Sequence, residues 1–151
     1  VFLRGAMSPE EVRNMMEKSE IFLFTSDKNE GWGAVLNEAM NSGCAVVASH
    51  EIGSVPFLIR NGENGLIYKD GDAEDLYLKV KLLLDNNDLC YSMGKAAYEA
   101  MVDEWSPEIA AERLIEVSGR LIAGDNAPDL YESGPCSKAD ILKDDWFAYE
   151  N

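Results

Sequence analysis

Basic residues are scarce in this chain: 13 Lys and Arg stand against 28 Asp and Glu, a formal net charge of −15 at pH 7. That surplus repels phosphate backbones and anionic membrane surfaces over a Debye length unless a local basic patch intervenes, and the sequence has none. Nucleic acid is excluded as a partner. Long apolar runs are also missing. The longest, Cys44-Ala45-Val46-Val47-Ala48, is far short of a bilayer span, so no transmembrane segment is expected. Cysteine is sparse: Cys44, Cys90 and Cys136 are odd in number, widely separated and without C-x-x-C spacing, which argues against a disulfide framework and a zinc ligand set. A reducing cytosol fits best. Histidine is represented by His50 alone, and no internal repeat or low-complexity tract is visible. Val1-Phe2-Leu3 carries no initiator Met and no leader, and it reads as the inside of a strand, so a longer parent protein is expected.

What is present is ordinary for one globular domain: 151 residues, 46% hydrophobic and 27% charged. Ser8-Pro9-Glu10-Glu11 gives an N-cap, a proline in the first turn and acids beside it, with Val12, Met15 and Met16 at helical spacing and therefore core, not cofactor, positions. Ile21-Phe22-Leu23-Phe24 reads as a buried strand. A helix follows over residues 34–40, stopped by Gly43, and residues 44–48 form a strand covered on both faces. This alternation predicts an α/β fold with a doubly wound, Rossmann-like parallel sheet and right-handed crossovers. Further on come a Gly- and Pro-bearing loop at residues 53–56, two Asn-Gly turns, and an edge strand Leu66-Ile67-Tyr68. Asp72 caps a helix carrying Leu76, Val80, Leu83 and Leu84. Asn86-Asn87-Asp88 breaks it, and another helix runs from about Leu89 to Val102. Ser106-Pro107-Glu108 starts the next, whose stripe of Ala110, Leu114, Val117 and Leu121 predicts packing on a sheet. The text changes at Gly124. Residues 1–124 are read as the main domain and residues 125–151 as an acidic loop with a final docking helix over 139–149, carrying Ile141, Leu142, Trp146 and Phe147. The acids Asp140, Asp144 and Asp145 lack the loop spacing of a calcium site.

The loop Ser26-Asp27-Lys28-Asn29-Glu30-Gly31-Trp32-Gly33 leaves a strand and enters a helix, at the end of a parallel sheet where ligands bind. Its glycines allow close backbone approach, and a helix N-terminus offers free N–H donors to an anion such as phosphate. A Gly-rich turn without a ligand gives the same pattern. Glu30 and Glu38 are separated by seven residues. At helical rise their Cα atoms lie roughly 12 Å apart and about 80° around the axis, too far for a shared proton or metal to be the natural reading. Two contacts along one elongated ligand fit better: carboxylates accept from vicinal hydroxyls, and a sugar nucleotide has such pairs on its ribose and its sugar with a diphosphate between. Solvated helix glutamates are the alternative. His50 reads as a loop residue near a strand end, and Trp32 as either a stacking or a packing residue.

At this point the residues carry a resemblance. Glu30-Gly31-Trp32-Gly33-Ala34-Val35-Leu36-Asn37-Glu38-Ala39-Met40, followed by Ser42-Gly43-Cys44-Ala45-Val46-Val47-Ala48, resembles the Glu-x7-Glu segment of the retaining glycosyltransferases with two Rossmann-like domains, the GT-B fold of the group 1, family 4 type. Phe2-Leu3-Arg4-Gly5, Asn61-Gly62-Glu63-Asn64-Gly65-Leu66 and Trp105-Ser106-Pro107-Glu108 resemble family text in the family's order, so the match covers about residues 1–122. Gly134-Pro135-Cys136-Ser137-Lys138-Ala139 resembles the tails of bacterial capsule and exopolysaccharide transferases.

The resemblance implies the C-terminal, donor-binding domain of a GT-B enzyme, incomplete at its N-terminus. By it, Glu30 is the catalytic-site acid that hydrogen-bonds the donor sugar. The backbone of Gly31, Trp32, Gly33, Ala34 and Val35 faces sugar and diphosphate, Glu38 holds the ribose diol, and Gly5 to Met7 line the base. The donor is a nucleotide diphosphate sugar, with no cofactor and no obligatory metal. The acceptor, a sugar or a lipid-linked sugar, is bound by an N-terminal domain outside this chain, as are the basic residues that clamp the diphosphate. The 151 residues alone are therefore expected to be inactive. The implied setting is bacterial surface or capsular polysaccharide synthesis, cytoplasmic or peripheral to the inner face of the membrane. Phe57 departs from the family, which often has an acid after the Gly-x-x-Pro loop, and this bears on donor preference. A non-catalytic nucleotide-sugar-binding module or a degenerate partner subunit is the alternative. A Rossmann-like dehydrogenase lacks its Gly-x-Gly-x-x-Gly here, and a phosphatase its nucleophile at a strand end.

Overall fold

A computed structural model of the chain describes residues 1–125, 129–139, 141–143 and 146–148. Helix α1 (Pro9–Met16) opens with a reciprocal cap. The Ser8 hydroxyl accepts the Glu11 N–H at 3.3 Å while the Glu11 carboxylate accepts the Ser8 N–H at 2.8 Å, and that backbone hydrogen bond lowers the Glu11 pKa. Strand β1 (Ile21–Phe24), helix α2 (Val35–Asn41) and strand β2 (Ala45–Ser49) follow. The loop after β2 contains a short helix, α3 (Val55–Leu58), where the sequence predicts only a turn. Strand β3 (Leu66–Tyr68) and helices α4 (Ala73–Leu84), α5 (Asn87–Asp103) and α6 (Pro107–Ile122) complete the order, with a 3-10 turn at Trp146–Ala148.

The three described strands pair in the order β1-β2-β3, all parallel, with Ile21 beside Ala45 and Val47 beside Leu66. β2 is buried throughout and alternates between two cores, which is why its sequence is continuously apolar. Val46 and Ala48 face Leu36, Met40, Ala97 and Met101, whereas Ala45 and Val47 face Leu83, Cys90 and Met93. Helices thus cover both faces of a Rossmann-like parallel sheet. α5 approaches the α2–β2 turn so closely that a Cβ at Gly94 would lie 2.3 Å from the Gly43 carbonyl oxygen.

Three expectations are corrected. Val1, Phe2 and Leu3 pair with no strand among the described residues and are fully or largely exposed, with the Arg4 guanidinium 5.7 Å over the Phe2 ring. The α6 stripe is amphipathic but does not cover the sheet: Leu114 and Leu121 remain 58% and 52% exposed, and no residue of α6 is buried. The sheet faces are already filled by α2, α4 and α5, and α6 instead anchors the following segment, with Arg113 donating to the Ser133 and Pro135 carbonyls and Glu116 accepting from the Tyr131 hydroxyl at 2.7 Å. That hydrogen bond lowers the Glu116 pKa and raises that of Tyr131. The expected helix over 139–149 is not formed at Ala139 or residues 141–143, and Ile141 is fully exposed. Among the described residues of this stretch, the 3-10 turn does the docking, with Trp146 and Phe147 packed against the core. Asp140, Asp144, Asp145 and Tyr149 lie outside the described residues.

Candidate functional site

The loop between β1 and α2 and the loop between β2 and α3 both leave the carboxyl ends of parallel strands, and backbone hydrogen bonds join them. Gly53 N–H donates to the Gly31 carbonyl and Ser54 N–H to the Trp32 carbonyl, each at 3.1 Å. Gly33 takes φ +74°, and a Cβ there would lie 2.8 Å from Phe24. Gly31, by contrast, has open space around it. The N–H groups of residues 31–35 donate to no protein group among the described residues, so they remain open donors leading into α2.

Glu30 sits half-buried in the loop, before the helix begins, and its carboxylate accepts the Ser26 hydroxyl at 2.9 Å. Helical spacing from Glu30 to Glu38 therefore does not apply along its whole length, since α2 starts at Val35. Glu38 is exposed in the first turn of α2, and its carboxylate accepts no hydrogen bond among the described residues. It lines a cleft of about 460 Å³ between α1 and α2 together with Met7, Val12, Arg13 and Met16. The structure thus brings Met7 and Glu38 together. Gly5, at φ +69° and exposed, does not line that cleft, and neither does Glu30. Val35 is half-buried and packs against the core, and Ala34 is exposed. Ser26 and Arg13 are the neighbours that sequence reasoning left without a role, and Phe57, singled out there for donor preference, packs on Trp32. The Ser26 hydroxyl four residues before Glu30 was the available signal.

Trp32 is exposed, and side chains of three other elements contact it. Its ring stacks on Phe57 at 5.6 Å and meets Trp105 at 6.0 Å, while its indole N–H donates to Asn37 at 2.9 Å. His50 is structural in its contacts: Nδ1 accepts the Asp70 N–H at 3.0 Å, Nε2 lies 3.3 Å from Glu51, and the ring rests 4.1 Å from Phe147. Asp70 and Asp72, which form an Asp-x-Asp spacing, are likewise engaged, Asp70 with the Ser49 hydroxyl and Asp72 as the cap of α4. No group of three or more metal-ligating side chains occurs among the described residues. No helix among them is long and apolar enough to cross a membrane. A larger cleft, about 730 Å³, lies at the opposite, amino ends of β1 and β2, lined by residues 17–20 and 41–43 and by Tyr91 and Tyr98 of α5. Ligands of parallel α/β sheets bind at the carboxyl ends, so its size does not make it the candidate.

Known proteins share this fold. The C-terminal domain of a glycosyl transferase group 1 family protein (LpcC) from Francisella tularensis superposes with a TM-score of 0.64 at 25% identity, over 70% of this chain and 53% of that one. Alr3699/HepE from Anabaena, solved in complex with UDP, shares the fold with a TM-score of 0.63 at 21% identity, over 70% of this chain and 29% of that one. In sequence, the chain is 33% identical over 119 residues to the N,N'-diacetylbacillosaminyl-diphospho-undecaprenol alpha-1,3-N-acetylgalactosaminyltransferase of Campylobacter jejuni, covering 78% of this chain and 30% of that protein. The chain spans 19% to 33% of the length of curated relatives it matches. Residues 1–100, which include the Glu30 loop, α2 and the whole described sheet, match the family model, and the chain belongs to the glycosyl transferases group 1 family.

Proposed function

We propose that this chain is the donor-binding part of a retaining glycosyltransferase that uses a nucleotide diphosphate sugar. The observation that carries the reading is the run of amides at residues 31–35, set between a Glu30 held by Ser26 and Glu38, with neither the amides nor the Glu38 carboxylate hydrogen-bonded among the described residues. Each part has a chemical task. The amides offer donors to the charge that grows on the departing diphosphate, where fixed dipoles act without reorganising. Ser26 orients the Glu30 carboxylate as an acceptor for donor-sugar hydroxyls. Glu38, at the cleft it shares with Met7, accepts from the ribose diol while Met7 and its neighbours border the base. The proposal assigns no metal or cofactor, and it places acceptor binding on a domain beyond these 151 residues. UDP in the Anabaena protein supports a nucleotide donor, and the Campylobacter relative's name supports a lipid-linked acceptor. The setting proposed for the whole enzyme is bacterial surface polysaccharide synthesis at the cytoplasmic side of a membrane.

Titrating the isotope-labelled chain with UDP-glucose, UDP-N-acetylglucosamine and GDP-mannose tests this reading by backbone amide shifts. The expected result is movement at Met7, Gly31, Trp32, Gly33, Ala34 and Glu38. Shifts confined to the Tyr91 and Tyr98 cleft, or none with any donor, would reject it.

A further inference from the structure

Trp32 projects from the middle of the loop that carries the open amides, and three elements grip it. Phe57 of α3 stacks on the indole with planes 29° apart, Trp105 at the α5–α6 junction closes in at 47°, and Asn37 of α2 takes its N–H. The backbone is tied at the same place, since the Gly31 and Trp32 carbonyls accept from Gly53 and Ser54. Gly53 has no room for a side chain: a Cβ would lie 2.3 Å from the Gly31 oxygen. Ser54 is fully buried and its hydroxyl has no partner among the described residues, so it serves the junction through its backbone, its N–H donating to the Trp32 carbonyl and its carbonyl accepting the Phe57 N–H at 3.1 Å. Core packing is a poor account of the rings. Trp32 and Phe57 remain 43% and 41% exposed, and their contact removes only part of their area from water.

We propose that Phe57 and Trp105 are positioning residues that act through Trp32 to hold the backbone of residues 31–34 in its ligand-ready form before a nucleotide sugar arrives. A loop ordered in advance loses less conformational freedom on binding, so the clamp raises affinity without touching the ligand. The ligand half of this inference rests on the donor-site reading above. The mechanical half does not.

Amide hydrogen exchange and calorimetry on the 151-residue chain separate the two, using Phe57→Ala and Phe57→Tyr. In Phe57→Ala, exchange at the Gly53 and Ser54 amides should rise about tenfold relative to the β2 amides, as expected for a local opening. Affinity for whichever of UDP and GDP the chain binds should fall about tenfold, with the corresponding nucleoside little changed, because the loop amides face phosphate and not base. Phe57→Tyr keeps the ring and should restore both readings. Unchanged exchange at Gly53 and Ser54, or exchange rising equally across β2, would overturn the clamp. If the unaltered chain binds neither nucleotide, the donor-site reading fails, and the exchange data still decide whether Phe57 holds the loop.

Discussion

Among single residues, the two loop glycines separate conformation from access. Gly33 combines φ +74° with contacts that would put a Cβ 2.8 Å from Phe24 and 3.2 Å from Ile52, while Gly31 has neither constraint. Gly33→Ala should therefore cost about 1–3 kcal/mol of folding stability, and Gly31→Ala should stay within ~0.5 kcal/mol. Denaturant midpoints of the two variants measure this, and equal losses would contradict it. Sequence reading gave both glycines the same reason, close approach of a ligand, because a dihedral angle and the folding of the loop back onto Phe24 and Ile52 leave no local mark. Phe57 shows the same limit. Its departure from the family pattern was visible, but its partner Trp32 lies 25 positions away in the chain and is reached only by folding. Glu30 and Glu38 were legible as a pair, and their different surroundings were not.

Among the elements, the junction of α1 with β2 carries a pH dependence. Cys44 is fully buried and its thiol donates to the Met16 and Ser19 carbonyls at 3.3 and 3.4 Å. Burial first, and then nearby Cys90, pushes the Cys44 thiol pKa up, and burial with Glu20 does the same to Cys90. The folded chain then keeps a proton that the unfolded chain releases. Stability is full below the ordinary thiol value of about 8.5 and falls as pH rises beyond it. Cys44→Ala should flatten this decline between about pH 8 and 10, read from chemical denaturation at each pH. An unchanged slope would assign the decline to other groups. The element boundaries themselves were mostly legible, since Ser8, Asp72 and Ser106 cap helices through bonds to their own neighbours. α3 was missed because its four residues give no periodicity. α6 was read as a helix correctly and placed on the sheet wrongly, because a stripe records amphipathicity and not what lies opposite.

For the whole molecule, the parallel order of β1, β2 and β3 brings two strand-end loops together and makes the candidate site a property of the fold. The chain also spans a fifth to a third of its curated relatives, so binding and turnover should separate in it. Hydrolysis or transfer from any nucleotide sugar by the 151 residues should not exceed a Glu30→Ala control. Turnover above that control would mean that no second domain is needed. The central claim, that Glu38 holds the nucleotide and Glu30 the sugar, is tested most directly by calorimetry of UDP and GDP on Glu38→Ala and Glu30→Ala. Loss of charge-assisted hydrogen bonds costs ~1.5–3 kcal/mol, so Glu38→Ala should bind nucleoside diphosphate roughly ten- to a hundredfold more weakly. Glu30→Ala should bind it almost as the unaltered chain does and show its loss only with the nucleotide sugar, because its carboxylate is assigned to the sugar hydroxyls. Equal weakening of nucleoside diphosphate binding in both variants, or none in either, would contradict the assignment.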